Sequence, residues 1–324
     1  MKTFLTLMLV ALTAQAQTKI KLGTLAPKDS SPHQSLKVLA EKWRGAGVQL
    51  IMFTDGTQGG EADMVRRMRI GQLQAAMLTA GGLAEIDDSV ACLQMMPLVF
   101  HSLDELDFVT EKMRPLLEKR LSERGFVVLF WADAGWVKFF SRRPAVFPDD
   151  LRFQKLFVSS SDSKALNIMK AAGYQPIPLE ATDILPGLKT GLIDAVPVPP
   201  FFALAGQVYN PAPHMLNMNW VPLVGAAVVT KKAWDKIQAE SQKAMLEAAQ
   251  KAGEEIRAQG RKEMTESVEA MKKRGLIVHE LTPAAEAAWH KVVEGAYPKI
   301  RGAVVPAELF DEVLKLLAEY RAKK

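Results

Sequence analysis

Residues 155–200 read KLFVSSSDSKALNIMKAAGYQPIPLEATDILPGLKTGLIDAVPVPP. The order is a strand at 156–158, a Ser/Asp-rich turn, a helix over 164–172 closed by Gly173, and an extended QPIPL piece. A second short helix over 182–190 and a buried strand at 192–196 follow. Short apolar runs alternating with helical segments specify a βαβ unit, and so a parallel sheet covered by helices. Ligands of such sheets collect beyond the carboxyl ends of the strands. The turn after Val158 offers hydroxyls and backbone N–H groups, whereas the one after Val196 offers only Val, Pro and Phe.

The N-terminal part repeats this grammar. IKLGTL and VQLIMF are strands around a helix at 33–44, which Ser30, Ser31 and Pro32 introduce. DGTQGGEADMVRRMRIGQLQAAMLT then supplies a glycine turn, a helix at 61–70 and a strand at 74–78. A helix at 103–124 ends at Gly125 before the strand FVVLFWA, and GWVKFFSRR leaves for a second domain. Near Gly225 the chain returns as a strand. A long helical stretch over 232–274 follows, with Gly253 and Gly260 as bend points, and helices at 283–295 and 306–322 close the chain. The expected fold is α/β with two lobes, each a mainly parallel sheet flanked by helices, and a long helix across both. Lobe I comprises 17–140 plus 228–324, and lobe II 141–227.

The 324 residues carry a net charge of +5, with basic and acidic side chains interleaved. Such mixing makes solvated helix faces and argues against a nucleic-acid partner. Lys2, the apolar run 4–12 and Ala14-Gln15-Ala16 read as a secretory signal peptide cleaved near Ala16. The expected location is periplasmic. The single Cys92 sits in an apolar context, where a buried inert thiol is expected.

Several stretches together resemble the periplasmic solute-binding proteins of TRAP transporters, the DctP-like family. They are DGTQGGEADMVRRMRIGQLQAAM, PLVF at 97–100, the Pro148-Asp-Asp-Leu151 run, KLFV, LKTGLIDAVPVPP and VVTKKAWDKI. The resemblance implies a Venus-flytrap receptor that closes on a small molecule and delivers it to inner-membrane transporter subunits. A soluble helical-repeat partner, used by some apolar-cleft relatives, is a further implied possibility. Where the family places a carboxylate-binding arginine in KLFV, this chain has Phe157. The family's Glu and Asn in the following turn become Pro197 and Val198. A bidentate Arg–carboxylate pair gives both geometry and energy, and Phe cannot replace it. The expected ligand is therefore apolar or amphipathic.

The residues expected to meet it are Phe157, Val198, Phe201 and Phe202 at the strand ends, with the aromatics Trp136, Phe139 and Trp220 where the domains cross. Ser161 in the Ser/Asp turn, Gln58 beside the Gly59-Gly60 turn, Leu25 after the first strand, and His33 complete the set. Asp162 is read as a helix cap and Glu61 as an N-terminal helix charge. Phe157→Arg is expected to leave the fold intact. The five histidines have no metal-ligand spacing, and no nucleophile elbow, HExxH or P-loop occurs, so no metal, cofactor or enzymatic activity is expected. The alternatives are an organic-acid receptor using a relocated cation (Lys138, Arg142 or Lys155) and a non-transport protein that docks a partner.

Overall fold

The computed structural model describes residues 18–323. The expected signal peptide lies outside them. Eleven strands occur among the described residues: β1 Thr18–Thr24, β2 Val48–Phe53, β3 Ala75–Thr79, β4 Phe126–Trp136, β5 Lys138–Ser141, β6 Lys155–Ser159, β7 Gln175–Leu179, β8 Ala195–Val198, β9 His214–Asn217, β10 Pro222–Thr230 and β11 Ile277–Glu280. They form two sheets, one in the order β2-β1-β3-β10-β4 and the other β11-β9-β5-β8-β6-β7.

β1, β2 and β3 are parallel, while β10 runs antiparallel between β3 and β4. In the second sheet β7, β6 and β8 are parallel, and β5 is antiparallel to both β8 and β9. The reversed strands are the crossings between lobes. Only Val137 separates β4 from β5, and residues 218–221 return the chain from β9 to β10. All of β10 therefore belongs to the first sheet, including residues before 228, and β11 joins the second sheet from within the C-terminal part. The short β9 and β11 have no separate signal in the sequence. Each is four residues long, too short for the alternation that marks a half-buried strand.

The long helix forms as Ala239–Lys272, after a separate turn at Lys231–Trp234. Its Met245, Ala249, Ala252 and Ile256 pack in the first lobe's core with Leu129 and Phe130, and its Met271 packs in the second lobe's core. Gly253 and Gly260 lie within the continuous helix. At Gly253 the approach to β4 is so close that an added Cβ would stand 2.6 Å from the Phe130 Cβ. Glycine here answers a helix–strand contact rather than a bend. Arg261 fixes the same helix to β4 and to the helix Leu103–Glu123. It donates to Asp107 at 2.8 and 2.7 Å and to Asp133 at 3.1 and 2.7 Å.

Candidate functional site

The strand register defines two facing edges. In the second lobe, Glu280, Asn217, Lys138, Val198, Ser159 and Leu179 end up side by side. Lys138 pairs with Val198, Glu280 with Asn217 and Ser159 with Leu179. In the first lobe the corresponding edge carries Phe53, Thr24, Thr79, Pro222 and Trp136. The Trp136–Val137–Lys138 crossing joins edge to edge, so the space between them is the crevice at the carboxyl ends of the parallel strands.

Phe157 and Val198 come together on one face of the second sheet, against Phe140, Leu188, Ile193 and Val196. Phe157 is 9 % exposed, so it is a core side chain beneath the crevice and not part of its open wall. Phe201 and Phe202 open the helix Pro200–Ala205 just past Val198. Both are half-buried, with their rings in T-shaped contact at 5.2 Å. Ser161 lies at the end of β6, its hydroxyl 2.9 Å from that of Ser159.

The other expected residues disperse. Phe139 alternates to the opposite sheet face from Phe140. It stacks on Trp289 at 5.7 Å and meets Trp220 at 5.3 Å. Trp136 is buried in the first lobe's core, and Leu25 packs against that core. Gln58 is half-buried in the turn after β2. His33 is buried, and its Nδ1 accepts the Asp29 N–H at 2.8 Å, which commits that ring nitrogen to the start of its helix. Burial holds its imidazole below the ordinary value, with the nearby Lys37 charge acting the same way.

Asp162 caps its helix, accepting the Ala165 N–H at 2.8 Å. Glu61 does more than sit at a helix start. Its carboxylate accepts both the backbone N–H and the hydroxyl of Thr79 at 2.6 Å. Burial pushes its carboxyl upward, the Thr79 and Gly82 hydrogen bonds pull it back, and the Glu180 charge pushes it up again.

The three candidate cations separate cleanly. Lys155 begins β6 at the far edge, where its amine donates to the Gly191 carbonyl, and Arg142 bonds the Leu188 carbonyl at 3.0 Å beside it. The same-face alternation with Phe157 is real, but Lys155 stands two residues further from the crevice. Lys138 alone is at the crevice edge. Its Nζ donates to Asn217 Oδ1 at 2.7 Å and Asn219 Oδ1 at 3.1 Å, and it pairs with no carboxylate among the described residues. Burial pulls its amine down to about 8, against a weaker upward pull from Glu280.

A cavity of about 540 Å³ shares Asn217 and Asn219 with this edge and is lined besides by Leu98, Phe100, His101 and Trp289. None of the residues expected from sequence lines it. The two asparagines alternate in NMNW at a strand end, a pattern that marks a polar edge only once the register is known. His214 and His279, distant in sequence, meet at 3.0 Å across β9 and β11, at the edge away from the crevice. Among the described residues no cluster of His, Cys, Asp and Glu could hold a metal ion. Cys92 is buried, its thiol pushed up to about 12 by desolvation.

The sequence matches the family model DctP, described as bacterial extracellular solute-binding protein, family 7, over residues 22–302. The C4-dicarboxylate-binding periplasmic protein DctP of Rhodobacter capsulatus is 25% identical over 79% of this chain and 77% of its own length. The 2,3-diketo-L-gulonate-binding periplasmic protein YiaO of Escherichia coli is 25% identical, with 81% of each covered. Among solved structures, a TRAP periplasmic solute-binding protein from Sulfurospirillum deleyianum with bound succinate superposes with a TM-score of 0.84 at 20% identity, covering 94% of this chain and 99% of that one. One from Ralstonia eutropha with bound (S)-2-acetolactate gives 0.86 at 20% identity, covering 93% and 99%. A family match over residues 22–302, on two lobes joined at β4–β5 and β9–β10, makes this protein a member of the DctP family of bacterial extracellular solute-binding proteins.

Proposed function

We propose that the chain is an exported receptor, cleaved near Ala16, which closes on a small amphipathic ligand in the periplasm and hands it to a TRAP-type transporter in the inner membrane. The observation that carries this reading is the composition of the second lobe's crevice edge. Val198, Phe201 and Phe202 follow one another at the end of β8, next to a core containing Phe157. An apolar ligand body gains about 25 cal/mol for each Å² it removes from water there.

One observation favours a second reading, an organic-acid ligand. Lys138 places a buried amine at the crevice edge, held by two neutral amides and drawn only weakly by the Glu280 charge. Relatives of the same fold carry acids, among them succinate and sn-glycerol-3-phosphate. An amphipathic monoacid would satisfy both ends, its carboxylate on Lys138 and its body on Val198.

Native mass spectrometry of protein purified without refolding, followed by solvent extraction, tests the reading. A bound apolar or amphipathic molecule is the expected result. A bound small dicarboxylate or sugar acid would overturn the apolar preference and leave the Lys138 reading.

A further inference from the structure

Glu180 directly follows β7, and Gly60 directly precedes the helix Glu61–Arg69. They lie beside different sheets, Gly60 between β2 and β3 and Glu180 after β7. Yet a Cβ built on Gly60 would overlap the Glu180 carboxylate, with its Cδ 2.8 Å away. Gly60 has φ −67° and ψ 176°, extended backbone that any residue adopts. Its own conformation therefore gives no reason for glycine. Contact with the opposite lobe does.

We propose that Glu180 and Gly60 form the latch of the closed receptor, the carboxylate of lobe II seating on the bare backbone of lobe I in a contact that opening must break. The inference rests on the receptor reading and its hinge closure. It adds which residues hold the closed state.

Both sides of this contact are positioned independently. The Ser160 hydroxyl donates to Glu180, and the Ser160 N–H bonds the Leu179 carbonyl at 3.0 Å, so the carboxylate is held from its own lobe. On the other side, Thr79 anchors Glu61, which orients the start of the helix behind Gly60. Four residues earlier the same turn receives a second contact. A Cβ on Gly56 would stand 2.9 Å from the Thr182 methyl and 3.1 Å from Leu25 Cδ2. Lys164 and Asp88 form a further cross-lobe ion pair at 3.4 Å, but both are about half exposed, and such pairs are weak. The segment 180–182 thus docks into the turn 56–60, where Gly60 clears the room for it and Gly56, at φ +66°, is in the left-handed region that favours glycine on its own account.

Distances between spin labels on Ile70→Cys and Phe153→Cys test the latch in the full mature chain. The two positions are 65 % and 75 % exposed on opposite lobes, while Cys92 is buried and stays unlabelled. Gly60→Ala is expected to shift the labels from the short toward the long distance, by about tenfold in the closed-to-open ratio, a change of roughly 1.4 kcal/mol. Glu180→Ala alone removes the same contact and is expected to shift the population the same way, so adding it to Gly60→Ala should produce little further shift. Circular dichroism confirms that each variant folds. Wild-type protein sampling both distances with Gly60→Ala indifferent would overturn the latch and leave the receptor reading standing. A single distance in every variant would remove hinge closure itself, and the latch with it. A double variant shifted by the sum of the two single effects would show that Gly60 acts through its own helix and not through Glu180.

Discussion

Lys138 and Asn217 lie on adjacent antiparallel strands at the crevice edge, the lysine Nζ donating to Asn217 Oδ1 at 2.7 Å. The amide is neutral, so it supplies a hydrogen bond without cancelling the charge. A buried ammonium so placed is destabilised relative to its neutral form, and desolvation is why its amine falls to about 8.

The sign of the resulting pH dependence follows. Between about 8 and the ordinary lysine value of 10.5 the folded chain has released a proton that the unfolded chain keeps. Stability therefore rises with pH across that window, and this contribution is lost as pH falls through 8. Urea melts at pH 7 and 10 should show wild type gaining on the order of 2 kcal/mol relative to Lys138→Met. Equal gains in both proteins would remove the buried-amine account. If the extracted ligand is an acid, Lys138→Met should also lower its affinity at pH 7, and wild-type affinity should fall above pH 8.

Phe157→Arg bears on the core rather than on specificity alone. The ring packs against Phe140, Leu188, Ile193 and Val196, so a guanidinium there would be buried among apolar side chains. The expected loss is about 3 kcal/mol or more, whereas Phe157→Leu should lose about 1 kcal/mol. Thermal melts of both variants decide it. An arginine variant as stable as wild type would place the side chain back on the crevice wall.

Gly253→Ala should destabilise, in spite of the better helix propensity of alanine. The new methyl meets Phe130 Cβ at 2.6 Å, and overpacking of this kind costs about 1–3 kcal/mol. Gly295→Ala, on a helix surface with nothing within 4 Å, should instead stabilise by up to about 1 kcal/mol. Denaturant midpoints of the pair separate propensity from close approach.

Arg321 ties the C-terminal helix to the first lobe, donating to Glu105 at 2.8 and 2.9 Å and to the Val99 carbonyl at 2.8 Å. Burial raises the Glu105 carboxyl, but the Arg321 and His101 hydrogen bonds outweigh it and hold it below the ordinary carboxylate value. The stability it contributes is present above that ordinary value and is lost as pH falls through the lowered one. Arg321→Met leaves a buried carboxylate unpaired and should lose about 2 kcal/mol at pH 7, discounted for the partial exposure of the arginine. The loss should shrink as pH falls through the lowered Glu105 value, and a series of melts from pH 7 into acid would show it.

The periodic elements were legible without coordinates. Amphipathic runs such as LKVLAEKW and the apolar FVVLFWA specify helix and strand through contacts within a few residues, and Asp162 announces its cap three residues before the N–H it receives. Phe157, Pro197 and Val198 were equally visible as apolar residues at strand ends, because that concerns identity rather than placement. Register was not. Which of Lys138, Arg142 and Lys155 reaches the crevice depends on β5 running antiparallel to β8 and β9, a pairing between segments up to 79 residues apart. The same limit hid the dispersal of Phe139 and Trp136 into separate cores, the bonding of His33 at the start of its helix, the meeting of His214 with His279, and the reason for Gly60. A glycine with ordinary backbone angles looks unremarkable in the chain, and only the opposing lobe reveals what its missing side chain makes room for. Local sequence determined the elements and the chemistry available at the crevice. Tertiary structure decided which side chains meet there, because side-chain direction along a strand alternates with every residue and the partner strand sets the count.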